Sequence, residues 1–439
     1  MLVRVMVLPG GISGANRDCV STELQSRRAG LPHAVFLQRV ADEPATSPDV
    51  RLGQGAFLAL RFVDLLAPDR EPPTPDVFRY QWAATERYCA ELAGEGTEAS
   101  HLSCIVRAAG EAHRDGNLQM LAPALFAYAL YLEQEGHFEE AEDALETMIA
   151  VGGDRLKGPD LTTAWMRLGR VRRRQTDFDG AIVAYATARE IATAANDQQT
   201  IMSSRIGHCN VLYFRGNLSE SEQSWRAVLA DSRRLGLRRI ESEAEHGLGN
   251  VLHRRGQVDE GITHLWRAFE LYDDPADQVR ALGDLGLSLL VLGKVDSAEQ
   301  ALHGVLRRVD SGESAVNAKI ELMNCASFRR DRVNFERWRE RAMVGFEHVP
   351  ANIRADYHLK AGIGFARFDN NRRSEIEFRR AHEIAVAHEL HEMIFRIERL
   401  LAGLNNCGAP EFVESAESTD VVQTESVREV SASLSALSV

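Results

Sequence analysis

Long apolar runs are missing from this sequence. No stretch approaches the eighteen or more apolar residues of a membrane span, so no crossing helix is expected. The start, Met1 to Gly11, is only a short apolar run broken by Pro9, Gly10 and Gly11, which argues against a secretion signal. Cysteine is sparse: Cys19, Cys89, Cys104, Cys209, Cys325 and Cys407 form no C-x-x-C pair, and they read as reduced residues of a cytoplasmic protein. An excess of positive charge is also absent. The formal net charge is −13, and basic clusters such as Arg167 to Arg174 and Arg329 to Arg341 are each mixed with acids or lie on a helix and read as solvated faces, so a nucleic-acid partner is not expected. Catalytic signatures are lacking too. There is no G-x-x-x-x-G-K-[ST], no dinucleotide fingerprint after a strand and no G-x-S-x-G elbow. His388 and His391 stand three apart, whereas a metalloprotease helix needs its histidines four apart to face one metal. The expectation is therefore no enzyme, no metal and no cofactor.

What is present is a phrase that occurs twice. It runs from His208 to Leu218 and again from Leu248 to Val258, so that Asn210 aligns with Asn250, Leu212 with Leu252 and Gly216 with Gly256. Self-similarity at a fixed period marks a repeat architecture. Leu248 and Leu252 share one helical face, and Gly256 is suited to the left-handed conformation that ends a helix. Asp259 then reads as the N-cap of a second helix, as do Asp179, Ser219 and Asp296 in other copies. Ser219 with Glu222, and Asp296 with Glu299, have the spacing of a capping box. More copies extend the frame: Leu125 to Met148, Trp165 to Ala188, Leu282 to Val305 and Gly362 to Ala381. A degenerate copy lies around Cys325 to Arg341 with Trp338 as its large residue, and a weak one runs from Tyr88 to Ala108.

These positions resemble the tetratricopeptide repeat, over roughly residues 80 to 404. The resemblance implies an all-α fold, a right-handed α-solenoid of antiparallel helix pairs with seven or eight repeats. The period is near forty in the first copies, against about thirty-four in the standard unit. Such long repeats look like those of bacterial regulators and signalling adaptors. Residues 1–53 show no sustained period and read as irregular. Residues 54–117 read as N-terminal helices, either an early repeat or a cap, with the prolines at 68, 72, 73 and 75 as a hinge or boundary. Residues 118–407 hold the array, with 311–350 its least regular part. Residues 408–439 read as a disordered acidic tail with a short amphipathic piece near Val427 to Leu437, and folding back of that tail onto the groove is a further expectation.

In the resembled family the first helix of each pair lines the concave face. In this chain that implies Leu130, Arg170, Asn210, Asn250, Leu287 and Ile363, and one turn later Tyr213, His253 and Leu290, followed by Arg174, Phe214, Arg254 and Val291. Arg170, Arg174, Asn210, Tyr213, Asn250 and Arg254 are the candidate binding residues for a protein or peptide. An asparagine amide both donates and accepts, so Asn210 and Asn250 suit an extended peptide backbone, unless they bond neighbouring helices. A carboxylate clamp of the chaperone-binding kind is not expected, because Ile206, Gly283 and Leu287 stand where bases are needed. The functional expectation is a non-catalytic scaffold or regulatory adaptor. A sensor whose superhelix changes shape on binding a small peptide is the alternative, and an enzyme with an unrecognised site comes last.

Overall fold

The computed structural model describes residues 31–40, 47–68, 73–346, 349–407 and 424–437. Among these residues the regular elements are all helical. The chain divides into two compact units, Met1–Val211 and Leu212–Val439, and the division falls inside the helix Gln198–Arg215.

The first unit contains a short 3-10 helix, Ala34–Val40, and helix α1, Pro48–Val63. Helices α2 (Pro75–Glu91) and α3 (Thr97–Asp115) follow. Two regular pairs come next, α4 (Leu121–Glu135) with α5 (Phe138–Gly152) and α6 (Gly158–Arg174) with α7 (Phe178–Ala194). The part of α8 (Gln198–Arg215) up to Val211 completes this unit. The second unit holds the end of α8, then α9 (Leu218–Leu235). Its pairs are α10 (Arg238–Arg254) with α11 (Val258–Leu271) and α12 (Pro275–Val291) with α13 (Val295–Leu306). They continue as α14 (Gly312–Phe328) with α15 (Arg332–Ala342) and α16 (Ala351–Arg367) with α17 (Asn371–Ala387). Helices α18 (His391–Cys407) and α19 (Glu425–Leu437) come last. From α1 to α7 and from α9 to α18, each helix packs on the next in the chain. Each unit is thus an α-solenoid of helix pairs.

One turn geometry recurs between the two helices of a pair. An amide just past the turn reaches back to a carbonyl in the first helix: His137 N to Leu132 O at 2.8 Å, Asp177 N to Arg172 O at 2.9 Å, Gln257 N to Leu252 O at 2.9 Å. That closure needs one residue in the left-handed region. Glycine fills it at Gly136, Gly216, Gly256 and Gly293, but Thr176, Arg330 and Asp369 take the same conformation at φ 63°, 55° and 57°. The turn, not the glycine, is the constant feature.

The structure corrects the capping assignment. Helices α9, α11 and α13 begin one residue before the expected caps, with N-caps at Asn217, Gln257 and Lys294, so Ser219, Asp259 and Asp296 lie in the first turn. In the α7 turn the cap is Asp177, which accepts from Gly180 N at 3.0 Å, rather than Asp179. Carboxylates in a first turn still favour the helix through its dipole. Glu222 serves the packing instead, bonding Arg226 at 2.9 Å and pairing with Arg255.

Small residues let the helices of a pair approach. A Cβ on Gly169 would fall 2.9 Å from the Tyr185 ring, and one on Gly249 would fall 2.7 Å from Leu265. Gly286 faces Leu302 and Gly362 faces Phe378 in the same way. In the degenerate copy the fully buried aromatic is Phe335, which presses on Gly364 of the next pair, whereas Trp338 is only half-buried. Residues 312–342 therefore form an ordinary pair with a short second helix.

Both ends of the described chain are more ordered than the sequence suggests. The 3-10 helix Ala34–Val40 is docked rather than irregular: Phe36 is fully buried, and Arg39 donates to Glu98 Oε2 at 2.9 Å and to Glu140 Oε1 at 2.7 Å. Helix α1 likewise begins inside the segment read as irregular. The order comes from carboxylates far along the chain, which local periodicity does not register. At the C-terminus, the short amphipathic piece expected within a disordered tail is a docked helix, Glu425–Leu437, whose Val427, Val430 and Leu434 are buried. Residues 408–423 lie outside the described residues, as do residues 1–30 of the N-terminal segment.

Candidate functional site

The first helices of successive pairs carry a side-chain row that the helical period places on one face. Counted back eight residues from the C-caps at Leu292, Arg329 and Phe368, the row holds Asp284, Glu321 and Lys360. Three residues further along each helix stand Leu287, Asn324 and Ile363, aligned with Asn250 of α10.

Asp284 is the best-organised group on this face. His246 Nε2 lies 2.8 Å from Asp284 Oδ2, and Asn250 Nδ2 donates to the same oxygen at 3.0 Å. The other His246 nitrogen meets the Tyr272 hydroxyl at 3.1 Å. Burial opposes ionisation of Asp284, but the hydrogen bond and charge of His246, the Asn250 amide and the Arg280 charge outweigh it and hold the carboxyl below its usual range. One turn on, the Ser288 hydroxyl donates to the Asp284 carbonyl at 2.9 Å. Its only proton is then spent, so His253, 2.8 Å from Ser288 Oγ, must donate from Nδ1. Burial lowers the His253 pKa and favours that neutral form.

Further along the same face, Lys360 bridges Glu321 and Asp356, the latter at 2.6 Å. Burial works against the Lys360 charge, but the two carboxylates raise its pKa, so the ammonium stays protonated. Arg367 Nη1 donates to Asn324 Oδ1 at 2.9 Å and to Ser327 Oγ at 2.6 Å, and its guanidinium stacks 3.5 Å from the Phe328 ring centroid. Beside these buried bonds stand exposed apolar side chains: Phe214 (52% exposed), Leu287 (38%) and Val291 (60%).

The six candidates from the sequence are split between the units. Arg170, Arg174 and Asn210 belong to the first; Tyr213, Asn250 and Arg254 belong to the second. Arg170 bonds Glu133 at 2.9 Å, and Arg174 lies 5.6 Å from the Phe138 ring centroid. Arg254 and Tyr213 do come together: the guanidinium stacks 5.1 Å from the ring and donates to the Tyr213 carbonyl at 3.2 Å. Asn210 is half-buried. Asn250 bridges helices α10 and α12, with one of its two amide N–H bonds donated to Asp284. His246, Asp284, Glu321, Asn324, Lys360 and Arg367 were not singled out from the sequence. For Asp284, Glu321 and Lys360 the available signal was a common spacing from the helix ends, which appears only once those ends are placed. Among the described residues no group of three or more His, Cys, Asp or Glu is set to hold a metal ion. No described helix is long and apolar enough to cross a membrane.

Residues 126–196, which span most of α4 through α7, match the family model described as tetratricopeptide repeat. The two helix pairs within residues 126–196 are thus similar to tetratricopeptide repeats. Among solved structures, the apo quorum sensor NprR from B. thuringiensis is similar at 10% identity, covering 84% of this chain and 99% of that one with a TM-score of 0.50. The apo form of RapI is similar at 9% identity, covering 86% of this chain and 98% of that one, with a TM-score of 0.48. A Rap protein complexed with competence and sporulation factor is similar at 15% identity, covering 82% and 98%, with a TM-score of 0.44. The likeness to NprR concerns the fold alone. No curated protein gives a significant match.

Proposed function

We propose that this chain is a non-catalytic interaction module that binds a protein or peptide along the first-helix face of its second unit. The observation that carries the reading is the pairing, on one face, of exposed apolar side chains with a pre-bonded polar floor. Phe214, Leu287 and Val291 offer apolar contact. The polar groups around Asp284 and Lys360 are already held in place, so a ligand would not have to order them. Repeat arrays of this type present extended surfaces rather than enclosed pockets, which favours binding over catalysis.

The ligand chemistry suited to this face is an extended segment with aliphatic side chains and at least one cationic or amide group. The aliphatic side chains would lie on Leu287 and Val291, and the polar group would meet the Asp284 carboxylate, which stays ionised. Arg254, stacked on Tyr213, supports an acidic side chain at the other end. A short signalling peptide is the second reading, since a protein sharing this fold is described as a quorum sensor.

A displayed peptide library selected on the full chain tests the proposal. Selected peptides should lose at least tenfold affinity with Val291→Glu and with Arg254→Glu, while both variants keep the wild-type helical signal. Peptides that bind both variants unchanged would rule out this face. Free short peptides that raise the melting temperature favour the sensor; selected segments that bind only within folded proteins favour the adaptor.

A further inference from the structure

Helix α19 does not lie on the first helices. It packs on α11 and α13, the second helices of two successive pairs. Val427, Val430 and Leu434 fall at i, i+3 and i+7 and so form one stripe. Each is at most 4% exposed, and the three join the buried cluster of Ile262, Leu265, Ala298 and Leu302. Arg307, just past the end of α13, reaches the Leu437 carbonyl at 3.5 Å, which puts a cation at the carbonyl end of α19 and favours this direction of docking. Ser435 Oγ meets Gln300 Oε1 at 3.1 Å.

The fit is good in its apolar stripe and weak elsewhere. The Ser431 hydroxyl is buried without a hydrogen-bond partner, which opposes docking. The helix has 13 residues, with serine at 426, 431, 433 and 435 and valine at 427 and 430. Isolated helices shorter than about 12–15 residues are marginal in water, and serine and valine are mediocre helix formers. The segment is therefore helical because it is docked, and docking must offset the entropy of ordering it. A helix of higher intrinsic propensity with the same stripe bears less of that cost. We propose that the surface of α11 and α13 is a docking site for an amphipathic helix. The chain's own C-terminal helix holds it here, and a partner protein's helix with aliphatic side chains at i, i+3 and i+7 displaces that helix. This site is separate from the first-helix face and does not depend on its reading.

The test uses the full chain and a fluorescein-labelled peptide of residues 424–439. In a V430D/L434D full-length variant the attached helix is released, and the labelled peptide should bind at least tenfold more tightly than it binds wild type. Excess unlabelled peptide should compete, and a labelled peptide carrying V430D should not bind. Equal binding to both proteins, or binding to neither, overturns the proposal. So does loss of cooperative melting in V430D/L434D, because α19 would then be part of the core. A measurement on wild type needs no variant: by hydrogen exchange, amides of 425–437 should exchange at least a hundredfold faster than those of α11 and α13. Equal protection would overturn exchangeability. A wild-type dimer that the substitutions dissolve would place the helix on a second copy and overturn occupancy within one chain.

Discussion

At the scale of single residues, the buried ion pairs decide more than the exposed ones. His33 is enclosed between Asp64, 3.2 Å from its Nε2, and Asp143, 2.6 Å from its Nδ1. Burial lowers its pKa, but the two carboxylates more than compensate and raise it above 6.5. A raised folded pKa means that the contribution is complete below about pH 6.5 and is lost as the pH climbs through the folded value. Protection of residues 31–40 against proteolysis should therefore fall on the alkaline side of neutrality, and His33→Gln should flatten that dependence. His33→Ala should cost roughly 3 kcal/mol, since it leaves buried carboxylates without their cation, and a thermal melt would read it. Asn250 has a structural use beside the proposed one. Its spacing from Asn210 suggests a ligand-reading ladder, and one of its two amide N–H bonds serves Asp284, 34 residues away. Asn250→Ala should lower stability by about 1 kcal/mol through that lost bond, measured by denaturant unfolding. Unchanged stability would show that the bond to Asp284 contributes nothing to the fold.

At the scale of elements, two glycines in neighbouring pairs give a controlled comparison. Gly249 faces Leu265 so closely that an added Cβ would fall 2.7 Å from it, whereas a Cβ on Gly283 would meet nothing within 4 Å. Gly249→Ala should destabilise by about 1–3 kcal/mol through overpacking. Gly283→Ala should stabilise by roughly 0.5–1 kcal/mol, because alanine is the better helix former. Melting temperatures moving in the same direction would defeat this account of the pair interface. The α6 to α7 turn offers a second test. Thr176 is β-branched and exposed at φ 63°, a conformation that disfavours branched side chains. Thr176→Gly should raise stability by about 1 kcal/mol in a thermal melt. The helix pairs themselves were legible, because Leu248, Leu252 and Gly256 sit within one turn or two of each other. The caps lie two residues earlier than the sequence suggests, because several polar residues cluster at each start and only backbone geometry selects among them.

At the scale of the molecule, stability in such arrays is a sum over neighbours rather than the property of one core. Helix α18 packs on α17, and its Phe395 stays 70% exposed. Amides of 391–407 should therefore exchange at least tenfold faster than those of α12, which has helices packed on both sides. Hydrogen exchange read by mass spectrometry would check this, and equal protection would mean that α18 has a partner not evident here. The net charge of −13 belongs to this scale too. It favours solubility and leaves recognition to local surfaces.

On its own the sequence determined what depends on short reach. The all-α class, the helix pairs, the turn glycines and the small-against-large packing of Gly169, Gly249, Gly286 and Gly362 follow from residues within about forty positions that repeat in register. Only the tertiary structure decided which polar groups face one another: Arg39 with Glu98 and Glu140, Asn250 with Asp284, Lys360 with Glu321. It also decided that the C-terminal stripe of Val427, Val430 and Leu434 lies on α11 and α13 rather than on the first helices. The physical reason is that periodicity reports which side of a helix is apolar, while the partner of that side is set by how separate helices come together, and no local spacing encodes it.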